Sequence, residues 1–189
     1  MLIFISGGSA SGKSALAERA CCALPGPHVY IATMPVHGPE DERKVARHHA
    51  LRAGRGFVET YEMPGRLGPI PDEATVLFEC LSTFTANRMF SGEAAPAVGW
   101  EAALWDELGA LLHRSGHTVV VSAEIGCDGA SYGPLSDGYR AVLTGLGVRL
   151  AAAADCAVEA VCGRAVVHKG RLPEAAPSSP NRGAVTAKP

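Results

Sequence analysis

A glycine-rich stretch near the amino terminus has the residue types of a phosphate-binding loop. It reads Gly7-Gly8-Ser9-Ala10-Ser11-Gly12-Lys13-Ser14 and fits the pattern G-x-x-x-x-G-K-[ST] at every fixed position. The glycines allow backbone N–H groups to converge on an anion. The Lys13 ammonium group can then reach the terminal phosphates of a nucleotide, and the Ser14 hydroxyl can bind Mg²⁺. The sequence therefore predicts a nucleotide phosphate site, with a chance glycine-rich turn as the alternative.

Two acidic residues follow apolar runs further along the chain. Glu79 ends the run Thr75-Val76-Leu77-Phe78-Glu79, and an acid there can hold Mg²⁺ directly or through water, as in other P-loop enzymes. Glu79 could instead stabilise the amino-terminal end of the helix that follows it. Glu124 comes after a valine-rich run. It is a second acid at the same edge of the predicted sheet, where it could position water or bind substrate.

A cluster of basic residues surrounds His48. Lys44, His48 and Arg52 are spaced four apart and share one helix face, and Arg43 and Arg47 flank that face. A neutral imidazole is a good nucleophile, and neighbouring cations would lower its pKa and neutralise a triphosphate. This pattern favours covalent transfer of a nucleotidyl group through a phosphoramidate. The alternative is a basic helix face that is simply solvated.

Apolar runs alternate with helix-like segments, and this order decides where the candidate residues lie. Predicted strands cover 2–5, 28–32, 57–62, 75–79, 118–122, 156–162 and 165–168. Predicted helices cover 14–20, 40–55, 81–90, 100–114 and 136–154. Such alternation is typical of an α/β fold with a mostly parallel sheet covered on both faces, and the last two strands can pair with each other in a short antiparallel hairpin. Ligands bind beyond the carboxyl ends of such strands, which here carry Gly7, Ala32, Thr33, Glu79 and Glu124.

The composition indicates one globular domain. Of 189 residues, 47% are hydrophobic, and we expect a single domain over 1–172 followed by a disordered tail over 173–189. A formal net charge of −2 without a long basic block argues against a nucleic-acid partner. Because no apolar stretch approaches the roughly 20 residues of a membrane span, and no signal peptide is evident, we expect a cytoplasmic protein. The six cysteines lack a C-x-x-C pair, and we expect most of them to be reduced and buried.

Further short motifs occur in a fixed order after the loop. They are Tyr30-Ile31-Ala32-Thr33, the basic segment from Arg43 to His48 with His49 and Arg55 beyond it, Thr60-Tyr61-Glu62, Leu77-Phe78-Glu79-Cys80-Leu81-Ser82-Thr83 with Asn87, Glu124-Ile125-Gly126, and Arg149-Leu150-Ala151 to Asp155. With these motifs, residues 1–170 resemble the bifunctional adenosylcobinamide kinase / adenosylcobinamide-phosphate guanylyltransferase family of cobalamin biosynthesis. The loop pattern by itself is not specific, whereas the ordered set is.

The resemblance implies a P-loop NTPase of the RecA type that assembles as a homo-oligomer, such as a trimer. It also implies two reactions. ATP or GTP phosphorylates the aminopropanol hydroxyl of adenosylcobinamide, and GMP then passes from GTP through a guanylyl-histidine to give adenosylcobinamide-GDP. By position, His48 is the guanylylated residue, Lys13 acts on the phosphates, and Ser14 and Glu79 hold Mg²⁺. The implied nucleotide-binding residues are Gly7, Gly8, Ser9, Ala10, Ser11, Gly12, Lys13, Ser14, Ala32, Thr33, Met34, His49, Ala50, Leu51, Arg52, Glu62 and Glu79.

The sequence departs from the family pattern around the expected phosphate and corrinoid region. Ala10 stands where the family usually has arginine, Ser122-Ala123-Glu124-Ile125-Gly126 replaces Thr-Asn-Glu-Val-Gly, and a longer stretch over 128–134 replaces Gly-Ile-Val-Pro. Two alternative functions therefore stay open, namely a P-loop kinase of another small alcohol and a non-catalytic GTP-binding regulatory module. Only the bifunctional enzyme needs a histidine that accepts GMP, so His48 discriminates between them.

Overall fold

The regular structure of the described residues includes seven strands and four helices. The computed structural model describes residues 1–35, 56–126 and 129–173, together with Gly38, Arg43 and Ala46. The strands are β1 (Leu2–Gly7), β2 (His28–Ala32), β3 (Phe57–Glu62), β4 (Thr75–Glu79), β5 (His117–Ala123), β6 (Cys156–Val161) and β7 (Arg164–Lys169). The helices are α1 (Lys13–Cys22), α2 (Leu81–Phe90), α3 (Trp100–Arg114) and α4 (Pro134–Ala153). The predicted helix over 40–55 and the predicted tail over 173–189 lie almost entirely outside the described residues.

The strands form one sheet in the order β3-β2-β4-β5-β1-β6-β7. Neighbouring strands from β3 to β6 run parallel, and β7 pairs antiparallel with β6. This confirms the predicted α/β class, with a mostly parallel sheet and a short antiparallel strand pair at its carboxyl-terminal end. Gly7 pairs with Ala123, and Ala32 pairs with both Glu62 and Glu79. The carboxyl ends of β1 to β5 therefore lie along one edge of the sheet.

Different helices cover the two faces of the sheet. Phe4 and Ile5 are neighbours in β1, and successive side chains of a strand point to opposite faces. Ile5 packs in a cluster with Leu16 of α1, whereas Phe4 packs in a cluster with Phe84 of α2 and Leu146 of α4. Burial on both faces explains why β1, β4 and β5 are continuous apolar runs. In the described ranges, no helix has the length and apolar character needed to cross a membrane.

The cysteines differ from the expectation that most of them are buried. Cys21 and Cys156 are buried, but Cys22 and Cys80 are only half-buried and Cys162 is exposed. Cys162 lies in the tight β6–β7 turn, which solvent reaches, rather than at the end of the predicted strand. The sequence reasoning failed there because an apolar run does not by itself show where a hairpin leaves the core.

Candidate active site

The predicted phosphate loop connects the carboxyl end of β1 to α1. The helix begins at Lys13, directly after Gly12. Its first turn contains no acidic residue that would repel an anion, and all residues of that turn are described. Lys13 Nζ donates a hydrogen bond to Gly8 O across the loop at 2.9 Å, and the Ser11 N–H donates to the same oxygen at 3.3 Å. A helix amino terminus attracts anions through its N–H groups and its dipole. The loop therefore has the geometry of a phosphate cradle closed by a lysine.

Two glycines of the loop lie where an added Cβ would come very close to backbone atoms from the far end of the chain. A Cβ on Gly7 would be 2.6 Å from Ala160 O, and one on Gly12 would be 3.2 Å from Gly163 Cα. The Gly163 N–H donates to Ser11 O at 2.8 Å, so the β6–β7 turn lies directly against the loop. The motif predicts the glycines but not this supporting turn, because the turn comes from the far end of the chain.

The carboxylate of Glu79 connects the phosphate loop to the middle of the sheet. The Ser14 hydroxyl donates a hydrogen bond to Glu79 Oε1, and the Tyr30 hydroxyl donates to Glu79 Oε2 at 3.2 Å. Glu79 ends β4, which only β5 separates from β1, so the first turn of α1 reaches across one strand to meet it. Because both oxygens have partners on α1 and β2, the carboxylate is directed to the phosphate loop and not to the first turn of α2.

The Ser14–Glu79 pair fits Mg²⁺ chemically. A hydroxyl and a carboxylate are oxygen donors, which Mg²⁺ prefers, and such sites commonly use one or two protein groups and complete the shell with phosphates and water. Within 1–35, 56–126 and 129–173, no group of three or more His, Cys, Asp or Glu side chains could hold a metal ion by itself. Ser14 and Glu79 are the residues that would hold Mg²⁺ beside a bound phosphate.

Glu124 also lies next to the phosphate loop. Its backbone N–H donates to Gly7 O at 3.1 Å, and the Ser6 hydroxyl donates to Glu124 Oε1 at 3.0 Å. The side chain is exposed beyond the end of β5, at the edge where the other candidate groups lie. A solvated carboxylate in this place can contact an acceptor substrate or a water molecule.

Described residues of the segment after Glu124, which departs from the family pattern, contact Arg140 of α4. The Arg140 guanidinium donates to the carbonyl oxygens of Gly126 and Ala130. The pKa of the Asp137 carboxyl is lowered, mainly by a hydrogen bond from the Ser131 hydroxyl and to a smaller extent by the charge of Arg140. These residues line a pocket of about 450 Å³ beyond the carboxyl end of β5. The described part of this departure, residues 129–134, therefore packs against α4 beyond the end of β5.

The carboxyl ends of β2 and β3 are joined by buried polar contacts. Thr33 is fully buried, and its Oγ1 accepts from the Cys80 N–H at 2.7 Å and donates to Cys80 O at 2.9 Å. The Asn87 side chain on α2 donates to Thr33 O at 2.7 Å and to Pro64 O at 2.8 Å. The loops that follow β2, β3 and β4 are thereby held against one another.

The predicted site residues separate into three groups. The loop residues 7–14 and Glu79 come together around the Ser14–Glu79 hydrogen bond. Ala32, Thr33, Met34 and Glu62 lie at or just beyond the ends of β2 and β3. The third group lies outside the described residues, and its roles stay predictions: His48, His49, Ala50, Leu51 and Arg52. Sequence reasoning assigned no role to Tyr30 or Asn87, although both stand in the quoted motifs. The signal that could have identified them is a polar side chain close to a motif at the end of a strand.

A phosphate loop between the first strand and first helix of a mostly parallel sheet, with a strand-end carboxylate bonded to the loop serine, defines a P-loop nucleotide-binding protein. The chain belongs to the cobinamide kinase / cobinamide phosphate guanyltransferase family, whose sequence model matches residues 3–167. It is therefore a transferase, and the resemblance drawn from the ordered motifs is confirmed.

Two curated relatives have names from the same biosynthesis. The bifunctional adenosylcobalamin biosynthesis protein CobU of Salmonella typhimurium is 30% identical over 171 residues, which cover 82% of this chain and 92% of that protein. The bifunctional adenosylcobalamin biosynthesis protein CobP of Pseudomonas aeruginosa is 33% identical over 140 residues, which cover 71% and 78% respectively. A solved ATPase of a bacterial type III secretion system is only a weak likeness, with a TM-score of 0.46 and 16% identity over 84% of this chain and 51% of that one.

Proposed function

We propose that this chain phosphorylates adenosylcobinamide with ATP or GTP and then transfers GMP from GTP to the new phosphate, giving adenosylcobinamide-GDP. Membership of the cobinamide kinase / cobinamide phosphate guanyltransferase family supports both reactions. The observation that carries the proposal is the phosphate loop whose Ser14 is bonded to Glu79, within a chain that matches the family over 3–167. Such a loop has a direct use in each reaction, because each begins with a nucleoside triphosphate.

In the kinase step, the phosphate loop holds the donor. The N–H groups at the start of α1 and the Lys13 ammonium bind the phosphate oxygens, and Ser14 and Glu79 would hold Mg²⁺. When bound, Mg²⁺ neutralises charge on the transferring phosphate group. The acceptor hydroxyl oxygen forms a bond to the γ-phosphorus, the bond from that phosphorus to the β-phosphate oxygen breaks, and the hydroxyl proton is released.

In the guanylyl step, His48 is the nucleophile. One imidazole nitrogen forms a bond to the α-phosphorus of GTP, and pyrophosphate leaves. A phosphate oxygen of adenosylcobinamide phosphate then attacks the same phosphorus and releases the histidine. The residues proposed to contact the nucleotide, besides the loop, are Ala32, Thr33, Met34, His49, Ala50, Leu51, Arg52, Glu62 and Glu79.

GTP labelled at the α-phosphate tests the histidine step. We expect acid-labile, alkali-stable label on the wild-type protein and none on His48→Ala, because a phosphoramidate forms only with the imidazole present. His113→Ala, at an exposed site on α3, is the matched control and should keep the label. Absence of label on the wild type would overturn the guanylyl-histidine. Label that persists on His48→Ala would overturn only the assignment of the residue.

A separate assay with adenosylcobinamide and ATP or GTP tests the kinase step. We expect Lys13→Ala to lose at least about a hundredfold in rate, because a cation that stabilises transferring phosphate contributes roughly 3 kcal/mol or more. The product is measured as adenosylcobinamide phosphate. Wild-type protein that binds ATP but leaves adenosylcobinamide unmodified would favour a kinase of another alcohol. Unchanged activity in the Lys13 variant would contradict the role of the loop.

We also propose that the enzyme is a homo-oligomer, with a trimer as the assembly that the family resemblance favours. Light scattering on the purified full chain measures the mass directly. A monomer at the concentrations of the activity assay would contradict this proposal without affecting the two reactions.

A further inference from the structure

The side-chain amide of Asn87 joins the segments that follow two different strands. Its Nδ2 lies 2.7 Å from Thr33 O, beyond β2, and 2.8 Å from Pro64 O, beyond β3. An amide nitrogen has two hydrogens, so each carbonyl oxygen receives one of them. Because both partners are acceptors, only the orientation with the nitrogen facing them is stable.

Thr33 also forms hydrogen bonds with the end of β4, the strand that contains Glu79. Its backbone N–H donates to Glu79 O at 3.0 Å, and its hydroxyl bonds to both backbone groups of Cys80. Thr33 is fully buried, and its N–H, hydroxyl and carbonyl groups all have partners. Asn87 and Thr33 therefore fix the ends of β3, β2 and β4 relative to one another.

Asn87 itself stands on a helix that is held along its length. Phe84, one turn before it, is fully buried and lies edge-on to Phe78 of β4 with ring centroids 5.5 Å apart. Arg88, the next residue, is buried and forms ion pairs with Glu93 at 3.0 Å and with Glu107 of α3 at 3.5 Å. Because α2 is anchored in this way, Asn87 has a fixed position. Its amide therefore holds Thr33 O and Pro64 O in fixed positions as well.

The strand order decides which part of a nucleotide these loops can reach. β2 and β3 lie three and four strands away from β1, which carries the phosphate loop, in the order β3-β2-β4-β5-β1. With a strand spacing of about 4.8 Å, the loops after β2 and β3 are roughly 14 to 19 Å from that loop. The proposed function assigns nucleotide contacts at the ends of β2 and β3 to Thr33, Met34 and Glu62. With the phosphates held at β1 and β4, the nucleoside is the part of GTP left to make those contacts.

We propose that Asn87 is a positioning residue that holds the described starts of two loops, residues 33–35 after β2 and 63–68 after β3, together as the wall for the nucleoside of GTP. This inference rests on the proposed function. It assigns no chemistry to Asn87. The residue acts through the backbone of Thr33 and Pro64, which it keeps in one arrangement before the nucleotide binds.

Binding of two probes to the full chain tests the proposal. GTP binding is measured with an analogue that has a methylene group between its α- and β-phosphorus atoms, because GTP itself would transfer GMP to His48. The analogue contacts both the phosphate loop and the wall, whereas inorganic tripolyphosphate contacts the phosphate loop alone. We expect Asn87→Asp, which has the same shape but sets a carboxylate against two carbonyl oxygens, to weaken GTP binding by roughly tenfold or more. Tripolyphosphate binding should stay within about twofold. Calorimetry with Mg²⁺ present measures both, and Asn87→Ala replaces Asn87→Asp if the latter does not fold.

Tyr139→Phe is the matched control. Its hydroxyl donates to Ser82 O in the first turn of α2 at 3.0 Å, so the variant loses a hydrogen bond onto the same helix without loosening the two loops. We expect it to bind both probes like wild type. Equal weakening of both probes in the Asn87 variants, or no weakening, would overturn the positioning role. Wild-type protein that binds GTP no more tightly than tripolyphosphate would contradict the proposed GTP site itself, and the inference would fall with it.

Discussion

At the scale of single residues, the carboxylate of Glu79 is oriented by two hydroxyl groups that come from different elements. The Ser14 hydroxyl arrives from α1 and the Tyr30 hydroxyl from β2, one on each oxygen. A carboxylate that accepts two hydrogen bonds has little freedom to rotate, which is what a metal-holding group requires. Tyr30 thus becomes as much a part of the site as the motif residues.

Tyr30→Phe should weaken Mg²⁺-dependent nucleotide binding. Loss of the hydroxyl leaves Glu79 Oε2 without this donor, and a hydrogen bond to a charged group is worth about 1.5–3 kcal/mol. We expect an apparent Mg²⁺ affinity roughly tenfold lower in the presence of ATP. The measurement is an Mg²⁺ titration of ATP binding, with ATP binding in the absence of metal as the readout that should not move.

Tyr61→Phe is the control for this prediction. The Tyr61 hydroxyl also donates to a carboxylate, Glu59 Oε2 at 2.7 Å, but that pair lies on the edge strand β3, away from Glu79. The control should leave the Mg²⁺ titration unchanged. Similar losses in both variants would contradict a role of Tyr30 that acts through Glu79.

At the scale of elements, the phosphate loop depends on β6 and on the turn that follows it, as well as on its own sequence. Gly7→Ala should lower the free energy of unfolding by about 1–3 kcal/mol, because the new Cβ would lie 2.6 Å from Ala160 O and backbone must shift. Gly8→Ala is the matched substitution, since no atom lies within 4 Å of a Cβ at that position. Urea unfolding compares the two, and an equal loss at both positions would contradict the close approach.

At the scale of the whole molecule, His117 should make stability depend on pH. Burial and then the amino-terminal charge lower the pKa of His117, against an opposing contribution from Glu73. The Met1 ammonium nitrogen lies 3.1 Å from His117 Nδ1. Because the folded pKa lies below the unfolded value of about 6.5, the unfolded chain takes up the proton first, and stability falls as the pH drops through that window.

His117→Gln should therefore show a smaller loss of stability on acidification than wild type. Urea unfolding between about pH 7.5 and about pH 5.5 measures the difference. His113→Gln, at an exposed position on α3, is the control and should follow wild type. A slope in His117→Gln that equals that of wild type would assign the pH dependence to other groups.

The sequence by itself determined the features that depend on residues close together along the chain. The loop motif, the continuous apolar strands and the order of strands and helices follow from spacing and burial along the chain, so Lys13, Ser14 and the mostly parallel sheet were predictable. Glu79 was predictable as a strand-end acid, although the sequence left open whether it serves the metal or the next helix. The direction of its carboxylate answers that in favour of the phosphate loop.

Only the tertiary structure decided which distant residues meet. The turn at Gly163 supports the phosphate loop, Tyr30 fixes Glu79, and Asn87 joins the ends of β2 and β3. No periodicity or motif predicts these contacts, because each depends on the lateral order of strands and on the place of a helix above the sheet. Sequence fixes which groups a chain carries, whereas the distances between those groups come from the packing of elements that are far apart along it.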